Sequence, residues 1–219
     1  MALIQAALDT LDFEQTLKLA QDISPYVDII ELGTPCIKYN GIRIVEAIKA
    51  YVPNCKILAD LKTMDAGLYE ATPFYAAGAD IVTVLGAADK GTISGVIKAA
   101  EPYPRAWTQV DLLNVQDKVA AAKEAFMMGA HVIGIHTGLD QQAAGQTPFE
   151  DLRSVAYLKH PRMPLKISVA GGINKDTATL AIGAGADIIV VGAAIYGAVD
   201  PVEAAKEIRR AVDRVLNQP

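Results

Sequence analysis

The sequence has few cysteines and histidines, no long apolar run and no basic cluster. Its two cysteines, Cys36 and Cys55, form no CxxC pair and have no nearby histidine, so we expect reduced, partly buried thiols. No apolar segment approaches the roughly 18–20 residues that a membrane span requires, and residues 1–5 lack the basic region of a signal peptide. A net charge of -5 without a basic cluster argues against a nucleic-acid surface. We therefore predict a cytoplasmic protein that binds neither membranes nor nucleic acid.

What the sequence does contain is a regular alternation of apolar and amphipathic segments. With 219 residues, 52% of them hydrophobic, the chain can bury one large core, so we predict a single domain over residues 1–219. Eight near-continuous apolar strands, each followed by a helical pattern, are typical of a parallel sheet buried on both faces and predict an α/β fold, a (β/α)8 TIM barrel. The alternative is a doubly wound open sheet, which is less favoured because no Gly-x-Gly-x-x-Gly opens the first helix.

The predicted elements follow one another closely along the chain. Strands are predicted at 3–9, 27–33, 57–62, 80–86, 105–113, 131–137, 165–170 and 187–191. Helices are predicted at 11–23, 41–51, 68–77, 90–100, 116–128, 149–158, 176–183 and 201–216, with a longer polar loop at 138–148. Asp200 and Pro201 are typical of an N-cap and a first helical residue. We interpret the Gly-Ala-Asp repeats at 78–80 and 185–187 as turns rather than catalytic motifs.

Polar side chains close most of the predicted strands, and in such barrels the active site lies at the carboxyl ends of the strands. These side chains are Asp9, Glu31, Asp60, Lys62, Thr83, Asp111 and His136. Charges gathered above an apolar interior are costly unless they are paired or bind a ligand. We therefore expect one site at this end of the barrel, with Asp9 and Asp111 among its substrate-binding residues.

Residues 57–65, Ile-Leu-Ala-Asp-Leu-Lys-Thr-Met-Asp, hold the densest group of charges on any predicted strand. Strand alternation predicts that Leu58, Asp60 and Lys62 point to one face. Glu31 and Asp60 end neighbouring strands, so their carboxylates can converge on one hard divalent cation, Mg2+ with Mn2+ as the alternative. The alternative is that the carboxylates pair with lysine and bind no metal.

Of the three histidines, only His136 falls at the carboxyl end of a predicted strand, and its ordinary pKa suits general acid–base chemistry. We interpret His131 and His160 as surface or packing residues. Two glycine-containing loops, Gly171-Gly172 and Gly192-Ala193, follow the last two strands. Their backbone N–H groups lie where these barrels bind phosphate.

The Asp60-x-Lys62-x-x-Asp65 spacing resembles the mark of the orotidine 5′-phosphate decarboxylase superfamily. Within it the chain most resembles the 3-hexulose-6-phosphate synthase family, through residues 28–35, 59–67, 82–86, 136–143 and 168–172. The resemblance covers nearly the whole chain.

The resemblance implies an aldol condensation of formaldehyde with ribulose 5-phosphate that depends on Mg2+. It further implies that Glu31 and Asp60 are metal ligands, that Lys62 stabilises an enediolate and that His136 removes the C1 proton. Asp9 matches a substrate-binding carboxylate of the family.

Asp65 resembles a residue that reaches into the site of a partner subunit, which implies a homodimer with shared active sites. The runner-up function is 3-keto-L-gulonate 6-phosphate decarboxylase, a relative that has arginine where this chain has Leu139 and Gly-Arg where it has Gly192-Ala193. A non-catalytic sugar-phosphate-binding barrel is the third hypothesis.

Overall fold

The computed structural model of the chain describes residues 2–216. Within this range eight parallel strands form a closed barrel in sequence order, and β8 pairs with β1. The strands are β1 Leu3–Leu8, β2 Ile29–Leu32, β3 Lys56–Thr63, β4 Ile81–Leu85, β5 Trp107–Asp111, β6 Val132–His136, β7 Ile167–Ala170 and β8 Ile188–Val191. The predicted TIM barrel is confirmed, and the open doubly wound sheet is excluded.

Helices surround the barrel, and eight of them coincide with the predicted helical segments. The helices are α1 Phe13–Ile23, α2 Thr34–Asn40, α3 Arg43–Tyr51, α4 Gly67–Ala76, α5 Lys90–Ala100, α6 Lys118–Met128, α7 Leu139–Ala143, α8 Phe149–Ala156, α9 Ala178–Gly183, α10 Ala193–Tyr196 and α11 Pro201–Leu216. The Asp200 cap is confirmed, because its carboxylate accepts the Glu203 N–H at 2.9 Å and α11 begins at Pro201.

Three of these helices, α2, α7 and α10, did not follow from the sequence. Each has seven residues or fewer and begins directly after Gly33, Gly138 or Gly192. Segments this short show no clear helical period, and isolated helices of this length are not stable on their own. The prediction that 138–148 is only a polar loop was therefore wrong, because α7 occupies its first half.

The Gly-Ala-Asp repeats are structural, as expected. The carboxylate of Asp80 accepts the backbone N–H of Ile57 at 2.8 Å and also binds a lysine ammonium. Asp187 does the same for Ile167 at 2.7 Å. At the corresponding turn before β6, the Nδ1 of the exposed His131 accepts the Thr108 N–H at 3.1 Å, so this histidine lies at the surface and away from the site. These acceptors fix the amino ends of the strands, far from the site.

The lower barrel interior is apolar and includes Leu58, Ile81 and Val132, whereas the carboxyl end is polar. Cys36 and Cys55 are free thiols, as predicted, but they are buried rather than partly buried, and burial raises the pKa of both, that of Cys55 to about 11. Among residues 2–216, no helix is long and apolar enough to cross a membrane.

Candidate active site

A cavity of about 610 Å³ opens at the carboxyl ends of the strands. Ten of the predicted site residues line it, namely Asp9, Glu31, Asp60, Lys62, Asp111, His136, Gly171, Gly172, Gly192 and Ala193. The barrel therefore gathers residues that lie as far apart as 184 positions in the chain. Thr83 and Asp65, by contrast, do not line this cavity.

Strand β3 places Lys62 in the cavity through a bulge rather than through regular alternation. Its register against β4 shifts between Ala59 and Thr63, and Lys62 has a left-handed φ of 48°. The Thr83 hydroxyl stabilises this shape, because it accepts the Lys62 N–H at 3.0 Å and donates to Asp60 Oδ1 at 2.7 Å. The prediction of a plain alternating strand was wrong here, although Asp60 and Lys62 do share the cavity. Bulges of this kind re-aim side chains beside active sites.

Asp60 is buried and surrounded by donors. Its Oδ2 accepts the Thr34 hydroxyl at 2.8 Å and forms an ion pair with the Lys62 ammonium. Burial alone would raise the pKa of the Asp60 carboxyl, but Lys62, Thr83 and Thr34 lower it below its ordinary value. Asp60 is therefore an anion at neutral pH.

Lys62 is held as an ammonium. Burial by itself would lower its pKa, but the carboxylates of Asp60 and Asp111 raise it above the ordinary value. The Asp111 carboxylate lies 3.7 Å from Nζ. The site thus contains a fixed positive charge that can stabilise negative charge developing on a substrate oxygen.

Glu31 lies on β2, next to Asp60. Its Oε2 accepts the side-chain amide of Gln5 at 2.6 Å. Burial and, second, the negative charge of Asp60 raise the pKa of the Glu31 carboxyl to about 8. Without additional positive charge, Glu31 therefore keeps its proton at neutral pH.

Asp111 is paired with the histidine at the end of the next strand. The Nδ1 of His136 lies 2.9 Å from Asp111 Oδ2, and Asp111 Oδ1 accepts the Leu113 N–H at 2.9 Å. Burial alone would lower the pKa of His136, but Asp111 raises it above its ordinary value. With Nδ1 donating to the carboxylate, Nε2 carries the lone pair of a general base. Asp111, predicted to bind substrate, thus has a contact that orients His136.

Asp9 reaches the same cavity from the end of β1. Burial, and then the charge of Asp60, raise the pKa of its carboxyl. Gly33 leaves the space that this carboxylate occupies, because a Cβ on Gly33 would lie 2.0 Å from Asp9 Oδ1. Glycine at position 33 therefore leaves room for the Asp9 carboxylate, whereas its φ of -62° does not require glycine.

The two glycine loops border the cavity on the side of β7 and β8. Gly171 has a φ of 116°, and a Cβ there would lie 2.6 Å from the Thr137 carbonyl oxygen, so only glycine fits. Gly172 also has a positive φ, of 69°. Gly192 and Ala193 form the start of α10.

Asp65 is exposed on the loop after β3, and its Oδ1 accepts the Ala66 N–H at 2.7 Å. It lines an open groove with Leu68 and Tyr69, and this groove adjoins the cavity because Thr34 and Asp60 line both. Within its own chain, Asp65 therefore lies beside the cavity but does not line it.

Sequence reasoning missed several polar residues of the cavity, including Thr34, Gln5, Gln109 and Ser168. For Gln5 a signal was present, because it alternates with Ala7 and Asp9 along β1 and so faces the same side. Thr34 could not be found in this way, since it lies on the short helix α2.

Comparison with known proteins agrees with this geometry. A 3-hexulose-6-phosphate synthase of Methylomonas aminofaciens is 61% identical over 208 residues, which cover 95% of this chain and 98% of the relative. The solved 3-hexulose-6-phosphate synthase of Salmonella typhimurium superposes with a TM-score of 0.92 at 37% identity, covering 97% and 99% of the two chains. A 3-keto-L-gulonate-6-phosphate decarboxylase from Vibrio cholerae gives 0.84 at 26% identity, covering 100% and 99%.

The family model that matches describes the orotidine 5′-phosphate decarboxylase / HUMPS family, and the match spans residues 2–208. Nearly the whole barrel, including every residue of the cavity named above, lies inside that range. The fold is shared by synthases and decarboxylases, so the likeness of the backbone does not by itself select a reaction. The chain belongs to the orotidine 5′-phosphate decarboxylase / HUMPS family.

Proposed function

We propose that this protein is a 3-hexulose-6-phosphate synthase, a carbon–carbon lyase acting in the aldol direction. It condenses formaldehyde with D-ribulose 5-phosphate to give D-arabino-hex-3-ulose 6-phosphate. The observation that carries this choice is the 61% identity to a curated synthase over 95% of the chain, against 26% to the decarboxylase. The cavity supplies the groups that such a reaction needs, a base, a fixed ammonium and a carboxylate pair.

The carboxylate pair Glu31 and Asp60 fits a divalent cation. Both side chains line the cavity, and burial and the charge of Asp60 raise the pKa of Glu31 to about 8, so a bound cation would favour the ionised form of Glu31. Among residues 2–216, no group of three or more His, Cys, Asp and Glu side chains is arranged to hold a metal. Two carboxylates with substrate oxygens and water suit Mg2+, with Mn2+ as the alternative. When bound, such an ion would supply positive charge beside the enediolate oxygens.

His136 is the proposed base. Its Nε2 takes a proton from C1 of ribulose 5-phosphate, and the electrons move to the C2 oxygen to form the enediolate. Asp111 holds the imidazole in place at 2.9 Å and stabilises the imidazolium that results. The Lys62 ammonium stabilises the charge on the substrate oxygens.

Carbon–carbon bond formation follows from the enediolate. C1 attacks the carbonyl carbon of formaldehyde, and the new alkoxide takes a proton from the His136 imidazolium, so the base returns to its starting state. Formaldehyde offers few contacts, so most binding energy comes from the sugar phosphate. We assign the phosphate to the backbone N–H groups of the Gly171-Gly172 and Gly192-Ala193 loops, and sugar hydroxyls to Asp9.

We further propose a homodimer with shared active sites. The groove next to Asp65 carries the large apolar side chains Leu68 and Tyr69, which are 52% and 85% exposed. Covering this groove with a second copy would bury apolar surface and bring Asp65 toward the partner's cavity. A cytoplasmic location stays a prediction.

Two assays test the proposed reaction. The protein is mixed with Mg2+, ribulose 5-phosphate and formaldehyde, and the loss of formaldehyde is followed. It is then given 3-keto-L-gulonate 6-phosphate, and CO2 release is measured. Formaldehyde loss that EDTA abolishes supports the synthase; CO2 release without formaldehyde loss would assign the decarboxylase, and inactivity in both would favour the non-catalytic barrel.

A separate measurement tests the base. In deuterium oxide, the C1 proton of ribulose 5-phosphate should exchange with solvent in the wild type and not in His136→Ala. Normal exchange in the variant would exclude His136 from that role.

A further inference from the structure

Just below the site carboxylates, the barrel interior contains three polar side chains where such barrels normally pack apolar ones. These side chains lie at the same level of the barrel, on alternate strands: Gln5 on β1, Gln109 on β5 and Ser168 on β7. Each is paired with an apolar residue on the next strand, namely Ile29, Val132 and Ile188. The exposed fractions of the three side chains are 1%, 7% and 1%. Burying an amide costs free energy unless its hydrogen bonds are made, so this layer is unfavourable for stability alone.

The two glutamines differ in their contacts. Gln5 Nε2 donates to Glu31 Oε2 at 2.6 Å, whereas Gln109 forms no hydrogen bond with a carboxylate within the described part of the chain. The Oε1 atoms of both glutamines are buried without a hydrogen-bond partner among residues 2–216. Gln5 therefore leaves one polar atom unsatisfied while it binds a carboxylate of the proposed cation pair.

Glu31 and Asp60 are oriented very unequally. Two threonine hydroxyls, those of Thr34 and Thr83, and the Lys62 ammonium fix the Asp60 carboxylate. Glu31 accepts a single hydrogen bond within residues 2–216, and Gln5 donates it. The orientation of one half of the pair therefore depends on one amide.

We propose that Gln5 is a positioning residue that fixes Glu31 for divalent-cation binding and so sets the cation affinity of the Glu31–Asp60 pair. The bond to Oε2 stops rotation of the carboxylate and leaves Oε1 of Glu31 available to the ion. Partners that orient metal ligands in this way typically change metal affinity by about 10–100-fold. The inference rests on the proposed function, because it requires that Glu31 and Asp60 bind a cation.

The test uses Mn2+ as the probe and electron paramagnetic resonance of free Mn2+ as the readout, without substrate. Gln5→Met removes the amide but keeps the length of the side chain, and should weaken Mn2+ binding about tenfold. Gln109→Met is the matched control, since it also removes a buried amide from the same layer, and should stay within about twofold of the wild type. Thermal unfolding in EDTA checks that each variant is folded. Gln5→Asn, which is too short to reach Glu31, should show the same loss and replaces Gln5→Met if that variant does not fold.

Wild-type affinity in Gln5→Met or Gln5→Asn would overturn the proposal, as would an equal loss in Gln109→Met. Failure of the proposed function looks different. In that case the wild type itself binds no Mn2+, or Glu31→Gln binds it as tightly as the wild type.

Discussion

Replacing Glu31 with glutamine should remove a large pH dependence from the stability of the metal-free protein. The pKa of this carboxyl is 4.5 for the ordinary group and about 8 in the folded chain, raised by burial and then by the charge of Asp60. The folded state therefore holds a proton that the unfolded state releases over this range. The contribution of Glu31 to stability is therefore fully present at and below about pH 4.5, and this contribution is lost as the pH rises to about 8.

The magnitude follows from the two pKa values. Their difference, about 3.5, corresponds to about 5 kcal/mol. This is a large share of the roughly 5–15 kcal/mol by which a domain is stable. Glutamine has the same shape, can still accept the Gln5 amide and does not ionise, so Glu31→Gln should be more stable than the wild type at pH 8 and nearly equal to it at pH 5.

The assay is urea unfolding followed by far-ultraviolet circular dichroism, in EDTA, at several values between pH 5 and 8.5. The quantity compared is the difference between wild type and variant at each pH, because His136 also has a raised pKa and contributes a slope of the same sign to both proteins. Excess Mg2+ should stabilise the wild type at pH 8 and leave Glu31→Gln nearly unchanged. Parallel stability curves for the two proteins would refute the reasoning.

Three further predictions concern the rest of the site. Asp111→Asn should lower the pKa of His136, so the acidic limb of the pH profile of kcat/KM should move to lower pH while the maximal rate falls; an unmoved limb would contradict the pairing. Thr83→Val should destabilise the protein by about 1–3 kcal/mol, measured by urea unfolding, because the N–H at the β3 bulge loses its acceptor, and Thr83→Ser should restore most of the loss. Gly33→Ala should displace the carboxylate of Asp9 and lower kcat/KM about 10–100-fold, with little change in Tm; normal kinetics would show that Asp9 does not bind substrate.

Local pattern was sufficient for the architecture. Eight apolar strands at regular spacing predicted the barrel, and its rule for site location then selected ten residues that do line the cavity. The N-cap of α11 at Asp200 could also be predicted from the sequence, since this cap is a contact between residues three positions apart. The short helices α2, α7 and α10 were not, because they are too brief to show a period.

The sequence by itself determined most of the charged residues at the mouth of the barrel, because each of them closes an apolar strand and that position can be recognised locally. Only the tertiary structure decided how those residues act on one another. Gln5 meets Glu31 across 26 positions, and Asp111 meets His136 across 25. The bulge that turns Lys62 toward Asp60 depends on a hydroxyl from the neighbouring strand. Such contacts exist only after the barrel has closed. Glu31 and Asp60 are both buried, and the Lys62 ammonium and the threonine hydroxyls that donate to Asp60 keep it ionised while Glu31 stays protonated.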